Sequence, residues 1–127
     1  MSLPASCSRA FSTARAAFWA AVCFAFVMAV ITHPPELPGN PNDKVQHIAA
    51  FAVLTLFGAI AYPKALFVRL FAALSLFGAF IELIQAIPAL HRDSDVRDWL
   101  ADTIAIAVVM LVVRGIEIRS KAFRIRD

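Results

Sequence analysis

The chain has 127 residues, of which 61% are hydrophobic and 17% charged, with a formal charge of +3 and a mean hydropathy of +0.74. Soluble domains run at about 45–50% apolar and about 25% charged, and a chain this small keeps too much surface exposed to hide the excess inside. The composition is that of a membrane protein, and four glycines without a phosphate loop and two cysteines without a framework exclude nucleotide-binding α/β enzymes, disulfide scaffolds and DNA-binding modules.

Between Arg15 and Glu36, twenty residues carry no acid or base. At about 1.5 Å per residue they match a hydrocarbon core of about 30 Å, so a first transmembrane helix is predicted at about 16–33. A secretory signal peptide with Arg9 and Arg15 as its basic flank is the rival reading. Against it, the run exceeds the about 7–15 residues of a signal h-region, and no small-x-small cleavage pattern precedes the prolines. Pro34, Pro35, Pro38 and Pro41 forbid helix continuation, so His33 to Asn42 is predicted to be an extended loop outside the hydrocarbon.

Val45 to Pro63 supplies nineteen more residues without Asp, Glu, Lys or Arg. Tyr62-Pro63-Lys64 closes this second span, about 45–62, as an interface anchor and stop. The third, about 66–87, carries Arg69 near one end and Glu82 near the other; its thirteen Leu, Ile, Phe and Val residues, at roughly −0.3 to −0.6 kcal/mol each, outweigh one acid at roughly +3. The fourth, about 99–114, sets only eight such residues against Asp102, and this marginal balance predicts stable insertion only against its neighbours. Residues 115–127 form a basic tail.

The amino-terminal segment (Arg9, Arg15), the 62–69 turn (Lys64, Arg69) and the tail (Arg114, Arg119, Lys121, Arg124, Arg126) hold nine bases, whereas the other two loops hold three, Lys44, Arg92 and Arg97. The positive-inside rule then puts both termini in the cytoplasm. Cys7 falls on that side and Cys23 mid-membrane, so they cannot bridge. Ala17, Ala21, Ala25 and Ala29 recur every fourth residue, and Thr55/Ala59, Ser75/Ala79 and Ala101/Ala105 offer small-residue pairs for close helix packing. The expected fold is all-α, one polytopic four-helix bundle over 1–127.

With this topology the polar residues that are costly to bury gather toward the outer face. Asp43 and His47 lie one turn apart at the start of the second span, with Lys44 and Gln46 beside them. Glu82 and Gln85 are three apart near the end of the third. Steps of three and four place Asp95, Asp98 and Asp102 on one stripe of the fourth, preceded by Arg92. Around these three segments six acids (Asp43, Glu82, Asp93, Asp95, Asp98, Asp102) face three bases (Lys44, Arg92, Arg97), so protons, a cation, a ligand or water must balance the remainder.

This set resembles the VanZ-like family of small bacterial membrane proteins. The residues that carry the resemblance are Asp43-Lys44-x-x-His47, Glu82-x-x-Gln85 and Arg92-x-x-Asp95-x-x-Asp98, in this order over residues 43 to about 113. Asp102-Thr103-Ile104-Ala105 departs from it where the family often has Asn and then Gly. The resemblance implies a bacterial cytoplasmic (inner) membrane location in the cell envelope and a shared outer-face site; most members have no known reaction.

Several functions remain open on the residues alone. Arg92 and Lys44 suit a phosphate, the guanidinium as a bidentate fork, which predicts recognition of a phosphorylated lipid or cell-wall precursor headgroup. The candidate binding residues are Asp43, Lys44, His47, Glu82, Gln85, Arg92, Asp95, Asp98 and Asp102, with membrane lipids, above all an anionic or isoprenoid-phosphate headgroup, as partners. A hydrolase or transferase is the alternative, with His47 as general base oriented by Glu82 or Asp98; only Ser94 and Thr103 supply nearby hydroxyls, which favours binding over catalysis. A proton-coupled carrier using Glu82 and Asp102 would require a homodimer. The bland readings are a helix-cap role for His47 and an interhelical ion pair of Glu82 with Arg92 or Lys44. No HExxH is present, so no metal or other cofactor is expected, and nothing points to nucleic acid.

Overall fold

The computed structural model describes residues 5–36, 38–39, 41–63 and 65–126, with side chains from residue 9 to residue 125 within those ranges. Lys64, counted above for orientation, lies outside the described residues, as do the side chains of Cys7 and Arg126. Four helices follow in order: α1 (Ala5–Val30), α2 (Asp43–Ala61), α3 (Phe67–Gln85) and α4 (Val96–Arg126), with a turn of 3-10 helix at Pro88–Leu90 before α4. Each α-helix is long and apolar enough to cross a membrane, and the described residues contain no strand. The fold is a polytopic four-helix bundle.

Local chemistry sets the helix ends. α1 stops at Val30 instead of reaching 33, because Ile31 and Thr32 are β-branched and the residue before Pro34 is driven out of the helical region. α2 begins at Asp43, two residues earlier than expected, because the Asn42 side chain caps it by accepting from Val45 N at 2.9 Å. Asp43 then sits in the first turn, where the helix dipole favours an acid. At α4, Asp95 accepts from Arg97 N at 2.8 Å and moves the start forward to Val96. The same helix runs through the described part of the basic tail, since 115–126 contains no proline. Its 31 residues measure about 46 Å by helical rise, about 16 Å more than the hydrocarbon needs.

The helices alternate in direction, so one end of the bundle carries the loops 31–42 and 86–95, and the other carries the 62–66 turn, the start of α1 and the end of α4. α2 is central: it packs against α1 on one side and most extensively against α4, while α3 packs against α4. Phe51, Leu54, Leu74, Ile81, Ile106 and Met110 form the buried core, and Leu76, Leu83 and Leu111 stand outward as lipid-facing residues. Of the alanine stripe on α1, Ala29 is buried and Ala21 and Ala25 pack on the core, but Ala17 is exposed. Ser75 shares a hydrogen bond with Thr103 at 2.9 Å, and Trp99 Nε1 donates to Ser75 O at 3.0 Å; together these fasten α3 to α4.

Candidate functional site: a buried acid–histidine cluster at the two-loop end

The start of α2, the end of α3 and the start of α4 meet at the two-loop end. After Pro88 the chain reverses at His91, which adopts the left-handed conformation at φ 49°, and residues 92–95 turn back over the end of α3. This return brings Ser94 and Asp95 onto Glu82. Glu82 Oε2 accepts from Asp95 N at 3.0 Å and from Ser94 Oγ at 3.2 Å, while Ser94 Oγ also lies 2.9 Å from the Glu82 carbonyl oxygen.

Inside that cover, His47 Nδ1 lies 3.1 Å from Asp102 Oδ2 and 3.8 Å from Glu82 Oε1. All three side chains are buried, Asp102 completely at 0% exposure. Around them stand two further pairs: Lys44 with Asp98, and Arg92 Nη2 with Asp43 Oδ1 at 3.0 Å. These pairs turn Lys44 and Arg92 toward Asp98 and Asp43, so His47 alone faces the Glu82 and Asp102 carboxylates. Glu82 Oε1 and Asp102 Oδ1 have no hydrogen-bond partner among the described residues. A buried charged oxygen without a partner is costly, and more so in lipid. The inner cluster therefore has spare acceptor capacity, to be met by a proton, water or the donors of a ligand.

The structure thus gathers Asp43, Lys44, His47, Glu82, Arg92, Asp98 and Asp102. It separates two candidates from them. Gln85 Nε2 donates to Ala29 O at 3.2 Å, tying α3 to the end of α1 instead of joining His47. Asp95 is exposed and its carboxylate caps α4, so the expected three-acid stripe is reduced to Asp98 and Asp102; only the Asp95 backbone reaches the cluster. Of the two orienting partners expected for His47, Glu82 stays within 3.8 Å, whereas Asp98 turns to Lys44 and Asp102 takes the closer place on the imidazole. Neither expected ion pair of Glu82 forms, since Arg92 and Lys44 hold Asp43 and Asp98. No group of three His, Cys, Asp or Glu side chains is placed to hold a metal ion among the described residues.

Gly78 has no counterpart in the sequence reading. A Cβ added there would meet Phe51 Cζ at 3.3 Å and Asp102 Oδ2 at 3.4 Å, so the glycine lets the Asp102 carboxylate press against α3. Gly78 stands four residues before Glu82, on the same helix face.

A groove of about 410 Å³ runs between α1 and α2. Apolar residues such as Phe24, Ala25, Met28 and Val53 line most of it, and Asp43, Gln46, His47 and Arg92 line its polar part. Its lining is thus apolar along α1 and α2 and polar beside His47 and Arg92. No family model matches the chain, nor does any curated protein or solved structure.

Proposed function

We propose that this is an integral protein of the bacterial inner membrane, both termini cytoplasmic, that recognises a phosphorylated lipid or cell-wall precursor headgroup at the outer face. The observation that carries the reading is the continuity of the α1–α2 groove with His47 and Arg92. An acyl or isoprenoid chain lies in the apolar part. Arg92 gives one of its five donors to Asp43 and keeps others for phosphate oxygens, while the headgroup's hydroxyl or amine donors meet the Asp43 carboxylate, 41% exposed at the groove's polar part. The orientation rests on the nine-to-three distribution of bases, and the VanZ-like resemblance, which agrees with this placement, rests on its three motifs.

The test is native mass spectrometry of protein released from its own membranes, comparing wild type with Arg92→Ala. A defined phosphorus-containing lipid adduct on wild type, lost in the variant, is expected. Equal adducts on both would overturn the reading.

One observation favours a second reading, a hydrolase or transferase acting on a lipid-linked substrate. A buried carboxylate 3.1 Å from His47 orients an imidazole as in general-base catalysis. Ser94 and Thr103 are engaged with Glu82 and Ser75, so the attacking group in this reading is water. Incubation with labelled isoprenoid phosphates between about pH 5 and 9 checks it: turnover abolished by His47→Asn supports it, and no turnover contradicts it.

A further inference from the structure

At the opposite end of the bundle, two adjoining clefts have no part in the His47 site. The first, of about 600 Å³, lies between the α2–α3 turn and the extension of α4. Its polar wall is Arg114, Glu117, Ser120, Lys121 and Arg124, and its apolar wall includes Leu66, Phe67 and Val68. The second, of about 490 Å³, continues along α3 and α4 and is almost wholly apolar, with Phe71, Met110 and Leu111 in its lining. Phe67, Val68 and Arg114 line both, so the two form one path from a basic cleft at the bundle's end into the lipid-facing surface.

The charge within the basic cleft is unbalanced. Arg114 lies 3.7 Å from Glu117 and stacks over the Phe67 ring at 5.4 Å. Pairing these two leaves Lys121 and Arg124 without an acid partner among the described residues. Lys121 and Arg124 are three residues apart, and Lys121 follows Arg114 by two turns, so all three share one face of α4. That face projects beyond the hydrocarbon because α4 continues unbroken, and a basic cleft between helices at the membrane surface suits an anionic headgroup.

We propose that these clefts bind an anionic phospholipid, its phosphate between Lys121 and Arg124 and one acyl chain along Phe67, Phe71 and Leu111. This site is separate from the proposed outer-face site and does not depend on it. The ligand is a membrane lipid and not free phosphate, because the apolar cleft continues the basic one.

Titration of the detergent-solubilised full chain with phosphatidylglycerol or phosphatidylcholine, read by native mass spectrometry, tests the proposal. Two bases near a membrane surface contribute enough that Lys121→Gln/Arg124→Gln should weaken phosphatidylglycerol binding about thirtyfold, leaving phosphatidylcholine unchanged. The control Arg9→Gln/Arg119→Gln removes the same charge outside the cleft and should leave binding near wild type. Inorganic phosphate at millimolar concentration should not displace the lipid. An equal loss in both double variants would reduce the effect to diffuse attraction and overturn the site, as would displacement by inorganic phosphate or an unchanged Lys121→Gln/Arg124→Gln variant. Adducts at the His47 end are scored separately through Arg92→Ala, so failure of either site leaves the other readable.

Discussion

At the end bearing the 62–66 turn, Arg15 stands 5.2 Å over the Tyr62 ring and donates to the Ala61 carbonyl, and Trp19 Nε1 donates to the Tyr62 hydroxyl at 2.9 Å. These groups lie near the protein surface, with the charge on an aromatic face and the polar tips bonded to one another, an arrangement that suits a membrane interface. At the two-loop end the arrangement is inverted: His47, Glu82 and Asp102 carry ionisable groups into the bundle, where their neighbours leave two carboxylate oxygens unmatched. Anchoring needs only exposed residues that are individually replaceable. Burial of mutually dependent charges costs stability, and under the proposed reading that cost serves the groove beside His47.

The contrast predicts a graded response to substitution. Asp102→Ala leaves His47 facing only Glu82 in a closed site and should lower unfolding free energy by about 3–5 kcal/mol, the usual effect of deleting one partner of a buried pair; denaturant unfolding in detergent measures it. Gly78→Val forces side-chain atoms against Phe51 and Asp102, contacts already near 3.3 Å for a Cβ alone, and should cost about 1–3 kcal/mol by overpacking. A Gly78→Val variant as stable as wild type would show that α3 and α4 are not held at this distance. Arg92→Ala breaks a pair in which Asp43 is 41% exposed but Arg92 only 12%, so its stability cost should be about 1–2 kcal/mol while lipid retention is lost. Trp19→Phe removes one exposed hydrogen bond at the anchoring end and should shift stability by about 0.5 kcal/mol, with no effect on lipids bound near His47. If Trp19→Phe rivalled Asp102→Ala, the distinction between the ends would collapse.

Hydropathy and proline placement made the four helices legible, because the absence of charge over a span length leaves a chain few alternatives in lipid. Helix ends were less legible: Asn42 and Asp95 act through single side-chain caps, which the apolar pattern does not register. The residues that converge at the site were visible from helical spacing, since Asp43/His47 and Asp98/Asp102 each repeat after one turn. Their pairing was not, because it depends on how the helices are rotated about their axes. That rotation gives Asp102 to His47, Asp98 to Lys44 and Gln85 to α1. Gly78 and Trp99 escaped for the same reason: both set the α3–α4 approach, and small or amphipathic residues in an apolar helix read equally well as lipid-facing.

The central claim is that the α1–α2 groove and the His47–Arg92 mouth act as one amphiphile site, and blocking each half separately tests it most directly. Ala49 is exposed and lines the groove, so Ala49→Trp should fill the apolar half without disturbing the buried cluster. The measurement is occupancy of the native phosphorus-containing lipid by native mass spectrometry, in Ala49→Trp beside Arg92→Ala. Loss in both, with unfolding close to wild type, is the predicted result; full occupancy in either variant would contradict a single site built from the two halves.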